Sequence, residues 1–231
     1  MTELENRPWW PAARAVMARE WRQAWQRPAD LALHAVFFLM VVALFPLALR
    51  PDPTVLALLG PGVLWVALFL AVLLATARLF QDDLSTGVLD AWVLSGVPLA
   101  VLVLARMGVQ WVLAAVPVGL CVPLVALQFG LAGPELGVLL LALALGTAVL
   151  VMLACVAAAL SAGARGGAVL PLLLVLPLAA PALVFGTLAV RTTQLGGDAE
   201  PELSVLAGLC VISLMICPWL GGAAVRVATE S

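Results

Sequence analysis

The chain of 231 residues has no lysine, a single histidine and little charge of either sign. Charged residues make up 10% and hydrophobic residues 65%, whereas a soluble domain carries roughly a quarter charged residues. With a mean hydropathy of +1.17, this scarcity excludes a free-standing soluble domain and indicates an integral membrane protein. The net charge of −2 gives no electrostatic reason to expect nucleic acid as a partner.

Catalytic signatures are missing as well. There is no HExxH, no GxSxG with suitable partners and no cluster of His with carboxylates. Ser161 and Ser213 lack the paired polar groups that an intramembrane protease needs. No GxxxxGK[ST] loop occurs, so the chain does not hydrolyse ATP by that route; if it does active work, the energy must arrive from another subunit on the cytoplasmic side. The chain reads as a non-enzyme. Cys121, Cys155, Cys210 and Cys217 lie in apolar runs and form no CxxC pair. They read as small apolar residues of packed helices, with no metal site and no firmly bound cofactor.

Long apolar runs are what the chain does have. A membrane-spanning helix needs about 20 apolar residues, and six runs qualify: 31–49, 60–79, 107–128, 136–160, 168–190 and 203–225. The expected fold is an all-α membrane protein with six transmembrane helices in one domain, 31–225. It follows an N-terminal segment, 1–30, and precedes a tail, 226–231. The stretch 97–105 is apolar too, and Pro98, Pro117 and Pro123 allow a break or kink in the third span. No Asp or Glu lies within the six runs, which argues against proton or sodium coupling through a buried carboxylate. Arg78 and Arg106 are expected at helix ends, reaching the headgroups. Pro171, Pro177 and Pro181 must distort span five, as at a pathway or hinge.

Arginines set the orientation. Arg7, Arg14, Arg19, Arg22, Arg27, Arg78, Arg106, Arg165 and Arg226 fall on one side; only Arg50 and Arg191 fall on the other, among Asp52, Glu135, Asp198, Glu200 and Glu202. Both termini are therefore expected in the cytoplasm. The N-terminal stretch interleaves Trp and Arg without a short apolar core and cleavage site, so no signal peptide is expected there. On a helical wheel Trp10, Ala13, Met17, Trp21, Ala24 and Trp25 share one arc, with Arg19, Arg22, Gln23 and Gln26 opposite. This fits an interfacial helix anchored by Trp10, Met17, Trp21 and Trp25, serving as an elbow or as a plain amphipathic anchor.

One polar island, LFQDDLSTGVLDAWVLSGVP (79–98), interrupts the apolar runs. Read as a short helix over 83–93, it puts Leu84, Val88, Ala91 and Trp92 on one arc and Asp83, Thr86 and Asp90 opposite. Asp82 or Asp83 is the expected N-cap, and Gly87 weakens the middle, which allows two turns separated by a kink. Periodicity leaves two readings open: a solvated loop on the membrane, or a coupling helix presented to a cytoplasmic partner.

Residues 43–90 resemble the haem exporter B (CcmB) family. The resemblance rests on Phe45-Pro46-Leu47, Pro51-Asp52-Pro53, Pro61-Gly62 with Trp65-Val66-Ala67, and Arg78-Leu79-Phe80-Gln81-Asp82-Asp83. The run 164–187 is similar to that family's entry into a Pro-rich span five, and Arg19-Glu20 fits as well. The resemblance implies an ABC-2-type permease in the bacterial inner membrane. Its implied partners are an ATP-binding subunit (CcmA-like), CcmC-like and CcmD-like membrane subunits and a periplasmic haem chaperone (CcmE-like), with a homodimer of this chain in the complex. It implies haem as cargo, and ATPase docking through Asp82, Asp83, Leu84, Val88, Asp90 and Trp92. His34 is the candidate ligand for haem iron; the competing reading is a polar residue at an interface. Two alternatives stand beside this reading: a non-transporting scaffold, and a permease for another apolar cargo.

Overall fold

The computed structural model describes residues 9–48, 53–77, 79–131, 133–163 and 169–230. Among these the secondary structure is entirely helical: α1 (Trp9–Gln26), α2 (Pro28–Ala48), α3 (Pro53–Thr76), α4 (Gln81–Ser85), α5 (Val88–Leu94), α6 (Leu99–Gln128), α7 (Pro134–Ala162), α8 (Val169–Gln194) and α9 (Glu200–Glu230). Arg7, Arg50, Asp52, Arg78 and Arg165, which entered the orientation argument, lie outside the described residues.

Among the described residues five helices are long and apolar enough to cross a membrane, in α3, α6, α7, α8 and α9. The apolar part of α2, Ala32–Ala48, is shorter. Six such runs were expected. Several bounds also differ: α3 begins at Pro53, and α9 extends to Glu230. The largest difference is in α6, which begins at Leu99 and continues through Pro117 and Pro123 as one helix of 30 residues. At about 1.5 Å per residue it exceeds the hydrocarbon thickness of a bilayer. Arg106 therefore lies inside α6 and is buried, not at a helix end.

Prolines and glycines write the punctuation. Pro28 disfavours helical geometry at Arg27 and opens α2 as a first-turn proline, which separates α1 from α2. Gly133 takes φ +64° just before Pro134 starts α7. Asp198 Oδ1 accepts from the Glu200 backbone N–H at 3.0 Å and opens α9. Pro61 lies inside α3 and offers no N–H to the carbonyl of Ala57. The Gln194 Nε2 donates to that carbonyl at 3.2 Å, and Arg191 donates to the next one, Leu58, at 3.0 Å. The end of α8 thus repairs the break in α3.

Helix α7 is the centre of the bundle, packed by α3, α6, α8 and α9. Trp65 of α3 is fully buried between α7 and α8. A Cβ on Gly146 would come within 2.2 Å of its ring, and one on Gly186 within 1.9 Å. Gly221 and Gly222 of α9 meet Val103 and the Ala100 backbone of α6 with similarly little room. Without a hydrophobic drive between helices in lipid, such close approach supplies the packing attraction.

Candidate functional site, a buried charge cluster under the polar island

The island folds as two short helices rather than one. Gly87 adopts φ +73° between them, a conformation open to glycine. Its N–H reaches the Leu84 carbonyl at 3.2 Å, and its own carbonyl accepts from Ala91. Phe80 occupies the N-cap of α4 with no side-chain cap, so neither Asp82 nor Asp83 caps it. Both aspartates sit in the first turn, where negative charge suits the helix dipole.

The turn sends them in different directions. Asp82 is exposed, while Asp83 is only 4% exposed. Two arginines meet Asp83 there. Arg19 Nη2 of α1 lies 2.5 Å from Oδ1, and Arg106 Nη1 of α6 donates to Oδ2. Arg106 is itself only 4% exposed. Its Nη2 donates to the Leu79 carbonyl at 2.7 Å, and its guanidinium lies 4.6 Å from the Phe80 ring centre and 5.7 Å from that of Trp92. A planar cation with aromatic faces and in-plane carboxylates is the arrangement that arginine tolerates best out of water.

Glu20 of α1 completes the set. Its Oε1 lies 3.3 Å from Arg19 Nη1 and its Oε2 3.5 Å from Arg106 Nε, the second contact without hydrogen-bond geometry. Burial pushes the Glu20 carboxyl above its ordinary range, and neighbouring Asp83 adds to this. Arg106 and Arg19 oppose it without cancelling it. Two cations and two carboxylates from α1, α4 and α6 therefore form one neutral buried knot, roofed by Phe80 of the α4 N-cap and Trp92 of α5.

This geometry redistributes the expected docking residues. Asp83 and Trp92 were expected to face a partner; they are buried inside this chain, because Arg106 has to be neutralised and covered where it lies. Leu84 and Val88 are half-buried against the core. The outer surface of the island includes Asp82, Ser85, Thr86, Asp90, Ala91 and Leu94, the last 84% exposed. Chemically the knot is not a catalytic constellation. It ties a polar surface segment to a long apolar helix.

The α1 wheel needed correction at Arg19. Ala13, Val16 and Glu20 form the buried arc, seated chiefly on α6. Trp10, Met17, Trp21 and Trp25 lie beside that arc and are exposed, with Arg14 over the Trp10 ring at 5.3 Å. Arg19, read as part of the solvent face, turns inward to Asp83. His34 is half-buried and borders a cavity of about 150 Å³, below the roughly 300–1,000 Å³ of drug-sized ligand pockets. Among the described residues no group of three His, Cys, Asp or Glu could hold a metal ion.

Arg19, Glu20 and Phe80 are the members of the knot that periodicity did not pick out. The available signal was electrostatic. An arginine at the edge of an apolar run, with an acidic pair 23 residues earlier, must be either solvated or paired.

Comparisons with known proteins agree with the motif resemblance. The family model described as CcmB protein matches residues 11–228. Heme exporter protein B of Pseudomonas aeruginosa is 42% identical over 213 residues, covering 92% of this chain and 96% of the relative. Proteins of the same name from Haemophilus influenzae and Escherichia coli K12 are 35% and 37% identical, covering 94% and 91% of this chain and 98% and 96% of those relatives.

Proposed function

This chain belongs to the CcmB protein family, and from that premise we propose that it is the membrane permease subunit of an ABC-type haem-export complex in cytochrome c maturation. It couples ATP hydrolysis in a partner subunit to haem export or to release of the haem-loaded periplasmic chaperone. In this reading α2, α3, α6, α7, α8 and α9 are the six spans, α1 is the interfacial elbow, and α4–α5 is the coupling element. The excess of arginine on the α1 side supports an inner-membrane protein with both termini in the cytoplasm. The partners follow the family: a CcmA-like ATPase, CcmC-like and CcmD-like subunits, a CcmE-like chaperone and a second copy of this chain.

One observation carries the reading. The Asp83–Arg106 pair, shared with Arg19 and Glu20, fastens the exposed acidic segment to the membrane helix α6 and to α1. A partner pressing on Asp82, Asp90 and Leu94 would move α6 and α1 with it, not a loose loop. The docking face accordingly shifts from Asp83 and Trp92 to these exposed residues.

The test is co-purification of the chain with its neighbours, followed by an ATPase assay and an absorbance scan for haem. Asp82→Lys with Asp90→Lys is expected to weaken retention of the ATPase subunit. Arg106→Leu is expected to leave that subunit bound while uncoupling its hydrolysis from haem delivery. Normal assembly and coupled activity in the double charge reversal would sink the docking assignment.

A further inference from the structure

A small cavity of about 150 Å³ opens where α1, α2, α3 and α6 converge. Its lining includes Glu20, Arg27, His34, Ala75, Gln110 and Leu113. Its depth in the membrane can be read from the chain. Ala75 is next to the last residue of α3, Arg27 lies in the α1–α2 junction, and the exposed Trp21 and Trp25 flank it on α1. Tryptophan of this kind marks the headgroup level.

Two groups in the cavity are under-satisfied. Gln110 is 8% exposed and borders the cavity, and its side-chain amide makes no hydrogen bond to another described residue. A primary amide in an apolar helix is costly without a partner. The Glu20 carboxylate has two long contacts, 3.3 and 3.5 Å, and so keeps free acceptor capacity. At the rim, exposed Arg27 supplies one cation. The cavity thus presents a carboxylate and an amide inside and a guanidinium at its edge. Leu33, Val36 and Met40 of α2 expose an apolar surface to lipid nearby.

We propose that this cavity seats the headgroup of a zwitterionic phospholipid of the ethanolamine type, from the leaflet on the α1 side. The phosphate lies toward Arg27 and His34, and the ammonium reaches Glu20 and the Gln110 carbonyl. An anionic glycerol headgroup would bring no cation to Glu20, and a porphyrin exceeds the space.

The experiment uses the full chain, purified in detergent and stripped of lipid. Native mass spectrometry and thermal-shift titration compare dioleoyl phosphatidylethanolamine, dioleoyl phosphatidylglycerol and soluble O-phosphorylethanolamine. The ethanolamine lipid is expected to bind about tenfold or more tightly than the glycerol lipid, and to lose about tenfold in Gln110→Leu and in Arg27→Gln. Gln110→Leu removes an unpartnered amide and Arg27 is exposed, so both variants are expected to fold. Equal affinity for the two lipids, or unchanged binding in both variants, overturns the proposal. Binding of the soluble headgroup as tightly as the lipid overturns the lipid source.

Discussion

Arg106 and Asp83 face each other out of water, one from within the long helix α6 and the other from the first turn of α4. Neither charge is stable there without the other. The pair therefore measures how firmly the polar island is held.

Removing Asp83 leaves two arginines without their shared carboxylate. Asp83→Ala is expected to cost about 3–5 kcal/mol, the usual penalty for orphaning a buried charge. Asp82→Ala, at an exposed neighbour, is expected to cost almost nothing. Thermal unfolding in detergent, followed by tryptophan fluorescence, compares them. Equal shifts for the two variants would contradict the burial of Asp83.

Trp65 sets a second prediction. Gly186→Ala and Gly146→Ala each drive a methyl group into its indole, at 1.9 and 2.2 Å. Overpacking of this kind costs about 1–3 kcal/mol. Trp65→Phe in the Gly186→Ala background is expected to recover part of the loss, whereas Gly119→Ala, where a Cβ meets nothing, is expected to be neutral. The melting temperatures of the four variants check this.

Glu20 gives the knot a pH dependence. Burial raises its folded-state carboxyl above the ordinary 4.5, so the folded chain holds this proton more tightly than the unfolded one. The resulting stability is fully present below the ordinary value and is lost as pH rises through the raised folded value. Arg19, Arg106 and Asp83 are the charged groups that face Glu20. Melting temperature is expected to fall across that interval in the unmodified chain and to fall less in Glu20→Gln. A steeper decline in the variant would reverse the assignment.

The repair of α3 is open to a double-mutant cycle. Gln194→Leu removes the donor to the Ala57 carbonyl and is expected to cost about 1 kcal/mol. Pro61→Ala returns an N–H to that carbonyl, so the same change is expected to cost less in its background. Strictly additive stabilities would mean that the Gln194 contact does not stand in for the missing helical bond.

Apolar run length alone made the helical class legible, because a chain this poor in charge has few other solutions. The bounds were less legible. Reading Arg106 as a helix terminus assumed that a charge must reach water, and so cut α6 short. The charge is instead met by Asp83 and Glu20 from two other helices, a tertiary fact that helical periodicity does not encode. The break at Gly87 was legible as a kink between two turns; what was not is that its left-handed turn buries Asp83 and leaves Asp90 exposed. The wheel of α1 found the aromatic stripe and missed its neighbour arc. Of the buried arc the wheel held Ala13; Val16 and Glu20 look unremarkable until α6 is placed against them.

The ion knot also has an order of events built into it. Arg19 and Glu20 leave the ribosome early, Asp83 emerges 64 residues after Arg19, and Arg106 a further 23 residues after Asp83. Until α6 has been made, the first helix has no docked seat and its two inner charges stay wet. Seating it is then a late assembly step, so a chain truncated before Arg106 would leave that helix undocked and open to proteases.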